Sequence, residues 1–226
     1  MIDYQKYHRQ GHGLYKIEDL LIPSDIVKFN ELADKVMSLP LAGKGVEYIL
    51  SVQGTAHNEN WPFSMPVSEK EHKLKLLKEI NGVATQRWYT IHTDEIRLGF
   101  YYLVMKFLKK FYPELNYSNI QHQDSISVYL EDDFSTQHQD GQNQGRLCAL
   151  LLYLTPEKNY NGSGDLIIID DENNKHQISP VRGNVVLLDV ANHNLVHGVD
   201  KVLGNFDRRC FLSFVWNIEK SNKGNQ

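Results

Sequence analysis

Two hydrophobic periods divide this chain. In the first half the spacing is mostly helical. The stretch "LYKIEDLLIPSDIVKFNELADKVMSL" predicts a short strand, a turn and then a helix, with Ile26, Phe29, Leu32, Ala33 and Val36 on one face. Ser24 is the expected N-cap of that helix. "GVEYILSVQG" (45–54) predicts a strand, and "TAHNENWPFSMP" (55–66) a loop long enough to act as a lid, with Trp61 and Phe63 as its contacts. "SEKEHKLKLLKEI" predicts a helix opened by a capping box from Ser68 to Glu71, its lysines mostly on a solvated face. "QRWYTIH" (86–92) predicts a strand. "TDEIRLGFYYLVMKFLKKFYPEL" predicts a long helix whose stripe Ile96, Phe100, Leu103, Phe107 and Phe111 faces a core.

Near residue 119 the texture changes. Short apolar or β-branched runs at 125–130, 146–154, 165–169, 184–189, 196–202 and 208–216 are split by Gly, Pro, Asn and Asp. Many short strands at this spacing predict a sandwich, jelly roll or barrel. The expected organisation is one domain over 1–226. Its α-rich part, about 1–118, covers a β-rich core at about 119–217, and a short tail follows at 218–226.

Composition narrows the function classes. The chain has 226 residues, 41% hydrophobic and 23% charged, as in an ordinary globular protein. A net charge of −4 gives no electrostatic case for nucleic acid or an anionic membrane as partner. The opening "MIDYQKYHRQGHG" has no apolar core of signal-peptide type, and no run approaches membrane-spanning length. With two cysteines, Cys148 and Cys210, no disulfide framework is expected, and a reducing cytoplasm is the default location. Both cysteines read as small core residues.

The candidate chemistry begins with a repeat. "QHQD" occurs at 121–124 and again at 137–140. In an extended strand, residues two apart share a face, so the imidazole and carboxylate of His-x-Asp can reach one ion. Two histidines and a carboxylate on one face of a metal, with open positions, mark non-haem Fe(II) oxygenases. His138, Asp140 and the distal His197 in "NLVHGVDKV" offer that set, with His193 a rival ligand. Arg208 and Arg209 follow at the head of an apolar strand and could clamp a dicarboxylate. The remaining histidines, His8, His12, His57, His72, His92 and His176, read as surface or packing residues.

From about 119 to 217 the chain resembles the 2-oxoglutarate/Fe(II)-dependent dioxygenase superfamily, in its prolyl-4-hydroxylase-like branch. The resemblance rests on "ISVYLEDDFSTQHQD", "GRLCALLLYLTP", "GSGDLIII", "ISPVRGNVVLLD", "VHGVDKV" and "RRCFLSFVW", in that order. "YKIEDLLIPSDIVKFNELADKV" is also similar to the family's entry strand and helix. It implies a double-stranded β-helix, a jelly-roll or cupin-like barrel buttressed by N-terminal helices. His138, Asp140 and His197 would then ligate Fe(II) and carry the catalytic centre. The cosubstrate 2-oxoglutarate would chelate the metal by its keto-acid end and meet an arginine with its far carboxylate, with Tyr153 and Tyr129 beside it.

One of the two arginines faces inward. The small Cys210, two residues after Arg208, favours Arg208; Ser213, four after Arg209, favours Arg209. Arg146 reads as a strand-start residue. The sequence departs from the family at "SGD", where Gly-Gly is usual, and the tyrosine of "SVYLEDD" is not followed by glycine. Retention of Asp140 favours hydroxylation over halogenation.

The implied reaction converts 2-oxoglutarate and O2 to succinate and CO2 while hydroxylating a substrate, with ascorbate a candidate reductant. The expected substrate is an amino-acid side chain in a protein or peptide. The alternatives are a free amino acid or other small metabolite, a cupin-like metal-binding protein without oxygenase activity, and an interaction module. "EDDFSTQ" is expected near the site mouth, where its acids would favour a cationic substrate. Strand phase separates the two repeats: if Tyr129 faces inward, so do Ser127, Ser125 and Gln123, and His122 and Asp124 point away.

Overall fold

The computed structural model describes residues 10–40, 48–53, 58–61, 65–81, 84–89, 93–140 and 145–217. The strands are β1 (His12–Lys16), β2 (Tyr48–Gln53), β3 (Asn58–Trp61), β4 (Ala84–Tyr89), β5 (Ile120–Tyr129) and β6 (Ser135–Gln139). They continue with β7 (Arg146–Tyr153), β8 (Leu166–Ile169), β9 (Lys175–Ile178), β10 (Asn184–Leu188), β11 (Val196–Val199) and β12 (Arg208–Asn217). The helices are α1 (Ile17–Leu20), α2 (Pro23–Ser38), α3 (Val67–Asn81) and α4 (Asp94–Phe111).

Two antiparallel sheets face each other. The larger runs β1-β10-β7-β12-β5-β4-β2-β3, and the smaller β6-β11-β8-β9. Alternation along the strands of the larger sheet makes two cores. Its outer face, with Ile126, Val128, Cys148, Leu150, Leu152, Val185, Phe211 and Val215, packs against α2 and α4. The expected stripe of α4 is buried there from Ile96 to Phe111, and Phe100 stacks on Phe211 with centroids 4.3 Å apart. Each such fully buried side chain contributes about 1.5–3 kcal/mol of transfer free energy. Its inner face, with Tyr129, Ala149, Leu151, Tyr153, Val186, Leu188, Cys210 and Leu212, meets Leu166, Ile168, Ile178 and Val199 of the smaller sheet. This is the expected double-stranded β-helix with helices buttressing one side.

Several local expectations are corrected. α2 starts at Pro23, whose fixed φ suits a first helical position, so the cap falls on Ile22 and Ser24 lies inside the first turn. α3 starts at Val67, which puts Ser68 inside its first turn; the Pro66 carbonyl takes the amides of Glu69 and Lys70. Lys70 is buried, unlike the exposed Lys73 and Lys75. The expected loop at 55–66 contains β3, paired in register with β2. The rest of that stretch, at 55–57 and 62–64, lies outside the described residues, as do His8, His57, Phe63, His92 and the tail 218–226. β9, with the polar sequence KHQI, is a further strand that carries no apolar alternation of its own.

Candidate active site

The strand registers define a closed layer of the barrel at its open end. Across the smaller sheet His138 pairs with His197, His197 with Ile168, and Ile168 with His176. Across the larger sheet His12 pairs with Leu188, Leu188 with Ala149, Ala149 with Phe214, and Phe214 with Gln123. Directly paired residues share a face, so both rows look inward. The His12 and His176 rings, 4.2 Å apart, close the seam between β1 and β9.

Asp140 lies just beyond β6, two residues after His138, and its side chain returns to the same layer. One ligand atom from each of His138, Asp140 and His197 lies within 4.8 Å of the others. Among the described residues this is the one group of three so placed. The His138 and His197 ring centroids are 4.5 Å apart, and His197 Nε2 is 3.8 Å from Asp140 Oδ2. His138 Nδ1 faces the Thr136 carbonyl at 2.9 Å, an arrangement that leaves Nε2 its lone pair. Burial pushes His197 down to about 4, against the opposing pull of Asp140, so its imidazole is neutral near neutral pH. Asp140 Oδ2 is buried without a hydrogen-bond partner. Two imidazoles and a carboxylate with an orphaned oxygen suit a divalent transition metal.

Backbone packing sets the two histidines opposite each other. A Cβ on Gly198 would come within 2.8 Å of the Ser135 carbonyl oxygen and 3.2 Å of the Gln137 nitrogen. Glycine at 198 therefore lets β11 approach β6 at the irregularity between His197 and Val199.

The other QHQD faces the helices. His122 stacks on Tyr101 of α4, with centroids 4.8 Å apart, and its Nδ1 is 2.9 Å from Asp124 Oδ2. His193, the rival ligand, lies in the loop before β11 with Nδ1 2.6 Å from Asp171 Oδ2. Neither belongs to the cluster of three.

Six residues along β12 from Phe214, the inner face carries Arg208, which is 1% exposed. Its Nε donates to the Gly164 carbonyl at 2.8 Å and its Nη2 to the Tyr153 hydroxyl at 3.2 Å. The guanidinium centre lies 4.8 Å from the Tyr129 ring centre and 5.1 Å from that of Tyr153. Burial raises both tyrosines above their ordinary range, with Arg208 opposing, so both stay neutral hydroxyls. Cys210, two residues on, is held up at about 12 by burial and is a small neutral wall. No carboxylate of the described residues lies within ion-pair distance of Arg208.

Arg209 takes the opposite face. It binds the Asp207 carboxylate at 2.8–3.0 Å and donates to the carbonyls of Val36 and Leu39 at the end of α2. It does not reach the inner pocket, which corrects its place among the candidates.

The acidic stretch before His138 is also corrected. β5 runs away from the open end, so Glu131–Asp133 turn at the arginine end of the barrel. Asp133 is fully buried, paired with Arg87 and accepting the Leu130 amide at 2.8 Å, and Asp132 meets Lys201 at 2.7 Å. These two acids are neutralised locally and offer no cationic subsite at the mouth. A group the sequence reading missed does stand there: Trp88, Phe214 and Trp216, with Arg146 lying over Phe214.

Residues 122–216 match the family model described as the 2OG-Fe(II) oxygenase superfamily. The match spans His138, Asp140, His197 and Arg208. This oxygenase is a 2-oxoglutarate-dependent dioxygenase, whose family uses Fe(II), 2-oxoglutarate and O2. Among solved structures, a prolyl hydroxylase from Trichoplax adhaerens, in complex with a peptide fragment of the hypoxia inducible factor oxygen degradation domain, superposes with a TM-score of 0.64. Identity is 15%, over 99% of this chain and 91% of that one. A Pseudomonas putida prolyl-4-hydroxylase gives 0.55 at 11% identity, over 95% and 92%. The non-haem α-ketoglutarate-dependent epimerase SnoN of nogalamycin biosynthesis gives 0.57 at 10%, over 95% and 80%. At these identities the likeness is one of fold. No curated protein matches the chain. No helix among the described residues is long and apolar enough to cross a membrane.

Proposed function

We propose that this dioxygenase hydroxylates an amino-acid side chain in a protein or peptide. His138, Asp140 and His197 hold Fe(II), and Arg208 with Tyr153 and Tyr129 receives the far carboxylate of 2-oxoglutarate. The observation that carries this is a buried cation without a counter-ion. An uncompensated guanidinium in a protein interior costs several kcal/mol. Arg208 spends Nε and Nη2 on a carbonyl and a hydroxyl, and no described group takes Nη1. A dicarboxylate that enters the barrel and leaves its other end at the triad meets that need. A cupin-like metal site without oxygenase chemistry has no use for such an arginine.

When bound, iron, 2-oxoglutarate and dioxygen together supply the oxidising power for C–H hydroxylation. The chain's own residues bind and orient. The two imidazoles and Asp140 offer three protein donors from one side. Leu151, Leu212, Val186 and Cys210 keep the space between triad and arginine apolar and dry.

Trp88, Phe214 and Trp216 form a cluster of tilted aromatic rings, 6.2–6.3 Å between neighbouring centroids, beside Arg146. It suits the face of an aliphatic or cyclic side chain such as proline, presented by an extended peptide. The peptide carried by the Trichoplax prolyl hydroxylase supports the same substrate class.

The test is anaerobic. Apoprotein mixed with Fe(II) and 2-oxoglutarate is expected to develop the visible charge-transfer band of the chelate, and its absence overturns the proposal. Succinate release, with O2 and ascorbate, is then compared across prolyl and other peptides and free amino acids. Stimulation by free amino acids alone overturns the peptide assignment.

A further inference from the structure

Arg146 reaches the site through a break in the β pattern. β7 and β12 pair Ala149 with Phe214 and Cys148 with Val215, but the next partner of Trp216 is Arg146. Two steps on β7 oppose one on β12, which is a β-bulge. Leu147 and Cys148 both pack into the helix-side core. Strict alternation would put Arg146 on that side with Cys148. The bulge turns it over to the inner face.

There its Nη1 lies 3.0 Å from Asp140 Oδ1. The guanidinium rests 4.2 Å from the Phe214 ring centre and 5.2 Å from that of Trp216. Aromatic faces attract a guanidinium and fix its plane, so the group is held on two sides. Asp140 thus has one oxygen engaged by Arg146 and the other, Oδ2, 3.8 Å from His197 Nε2.

Resting on the metal assignment above, we infer that Arg146 is a positioning residue that makes Asp140 a one-oxygen metal ligand. A carboxylate that is free to rotate can present both oxygens to an ion and fill a position the cosubstrate and O2 require. The ion pair at Oδ1 opposes that rotation. The aromatic pair keeps the arginine from following the carboxylate.

Co(II) binding to the apoprotein tests this without turnover, by titration and by the visible d–d spectrum. Arg146→Met is expected to weaken Co(II) binding about 10- to 100-fold, the usual cost of losing an outer-shell partner. It is also expected to alter the spectrum while the apoprotein's melting temperature holds. Arg146→Lys keeps the charge on a point donor and is expected to fall between Met and wild type. Wild-type affinity and an unchanged band in Arg146→Met overturn the inference. Should Arg146→Met melt the fold, Arg146→Lys decides by the same two readouts. A failure of the metal assignment is distinguishable: wild type and Asp140→Ala would then bind Co(II) alike.

Discussion

Arg208 and Arg209 are neighbours in the chain, yet one lies inside the barrel against Tyr153 and the other lies under the end of α2. Their substitutions should separate completely. Arg208→Met is expected to weaken 2-oxoglutarate binding at least 100-fold, about 3 kcal/mol for a buried charge-assisted contact. The melting temperature of the apoprotein should hold or rise, because an uncompensated buried charge is removed. Calorimetric titration and thermal melting check both halves.

Arg209→Met should do the reverse. It leaves the Leu39 carbonyl and Asp207 without the arginine's donors, while the Val36 carbonyl keeps the Leu39 amide, at a cost of about 2 kcal/mol. The expected result is a lower denaturation midpoint with 2-oxoglutarate affinity unchanged.

The two QHQD copies can be told apart by metal binding. His138→Ala or Asp140→Ala should abolish the chelate band. His122→Ala should leave it intact and cost only modest stability, through the lost ring contact with Tyr101.

Gly198→Ala should act like a ligand mutation without touching a ligand. Its added methyl meets the Ser135 carbonyl at 2.8 Å and forces β6 away from β11. Fe(II) affinity is expected to fall at least tenfold, as for other losses of ligand support. The loss would be readable by metal titration.

The His12–His176 seam predicts an acid limb in stability. Burial, and the neighbouring His176 and His193, lower His12 below 6.5, against the raising influence of Asp170 and the Gln10 carbonyl; Asp171 holds His193 nearby. The folded state keeps His12 neutral while the unfolded chain takes up a proton below 6.5. Stability should therefore be flat above that pH and decline beneath it, by at most about 1.4 kcal/mol per unit. His12→Phe should flatten this limb in pH-dependent urea melts. Asp170 resists the cost of its burial through bonds from His176, Asn174 and Glu172, which hold it to about 2. Its stabilisation is lost in a separate window, as pH falls from 3.8 toward 2.

Much of this was legible because it follows from alternation. Tyr129, Ser127, Ser125 and Gln123 share a face, and that phase alone set His122 and Asp124 apart from the metal candidates. Arg146 was illegible for the same reason: the bulge reverses its phase, and only the partner strand's register reveals it. β3 and β9 are short edge strands whose polar sequences owe their conformation to pairing. The acids at 131–133 were misplaced because strand direction, which the pattern does not specify, decides which end of the barrel they occupy.

β12 is the last described strand in chain order and lies in the middle of the larger sheet, between β7 and β5. Until residues 208–217 are available, β1-β10-β7 and β5-β4-β2-β3 have no hydrogen-bonded seam between them. Assembly therefore waits on pairings distant in sequence, which slows folding and leaves two unpaired apolar edges exposed meanwhile. The same strand carries Arg208, so a nascent chain gains its cosubstrate anchor at the step that closes the sheet. A chain halted before that point is expected to be a chaperone client rather than a weak enzyme.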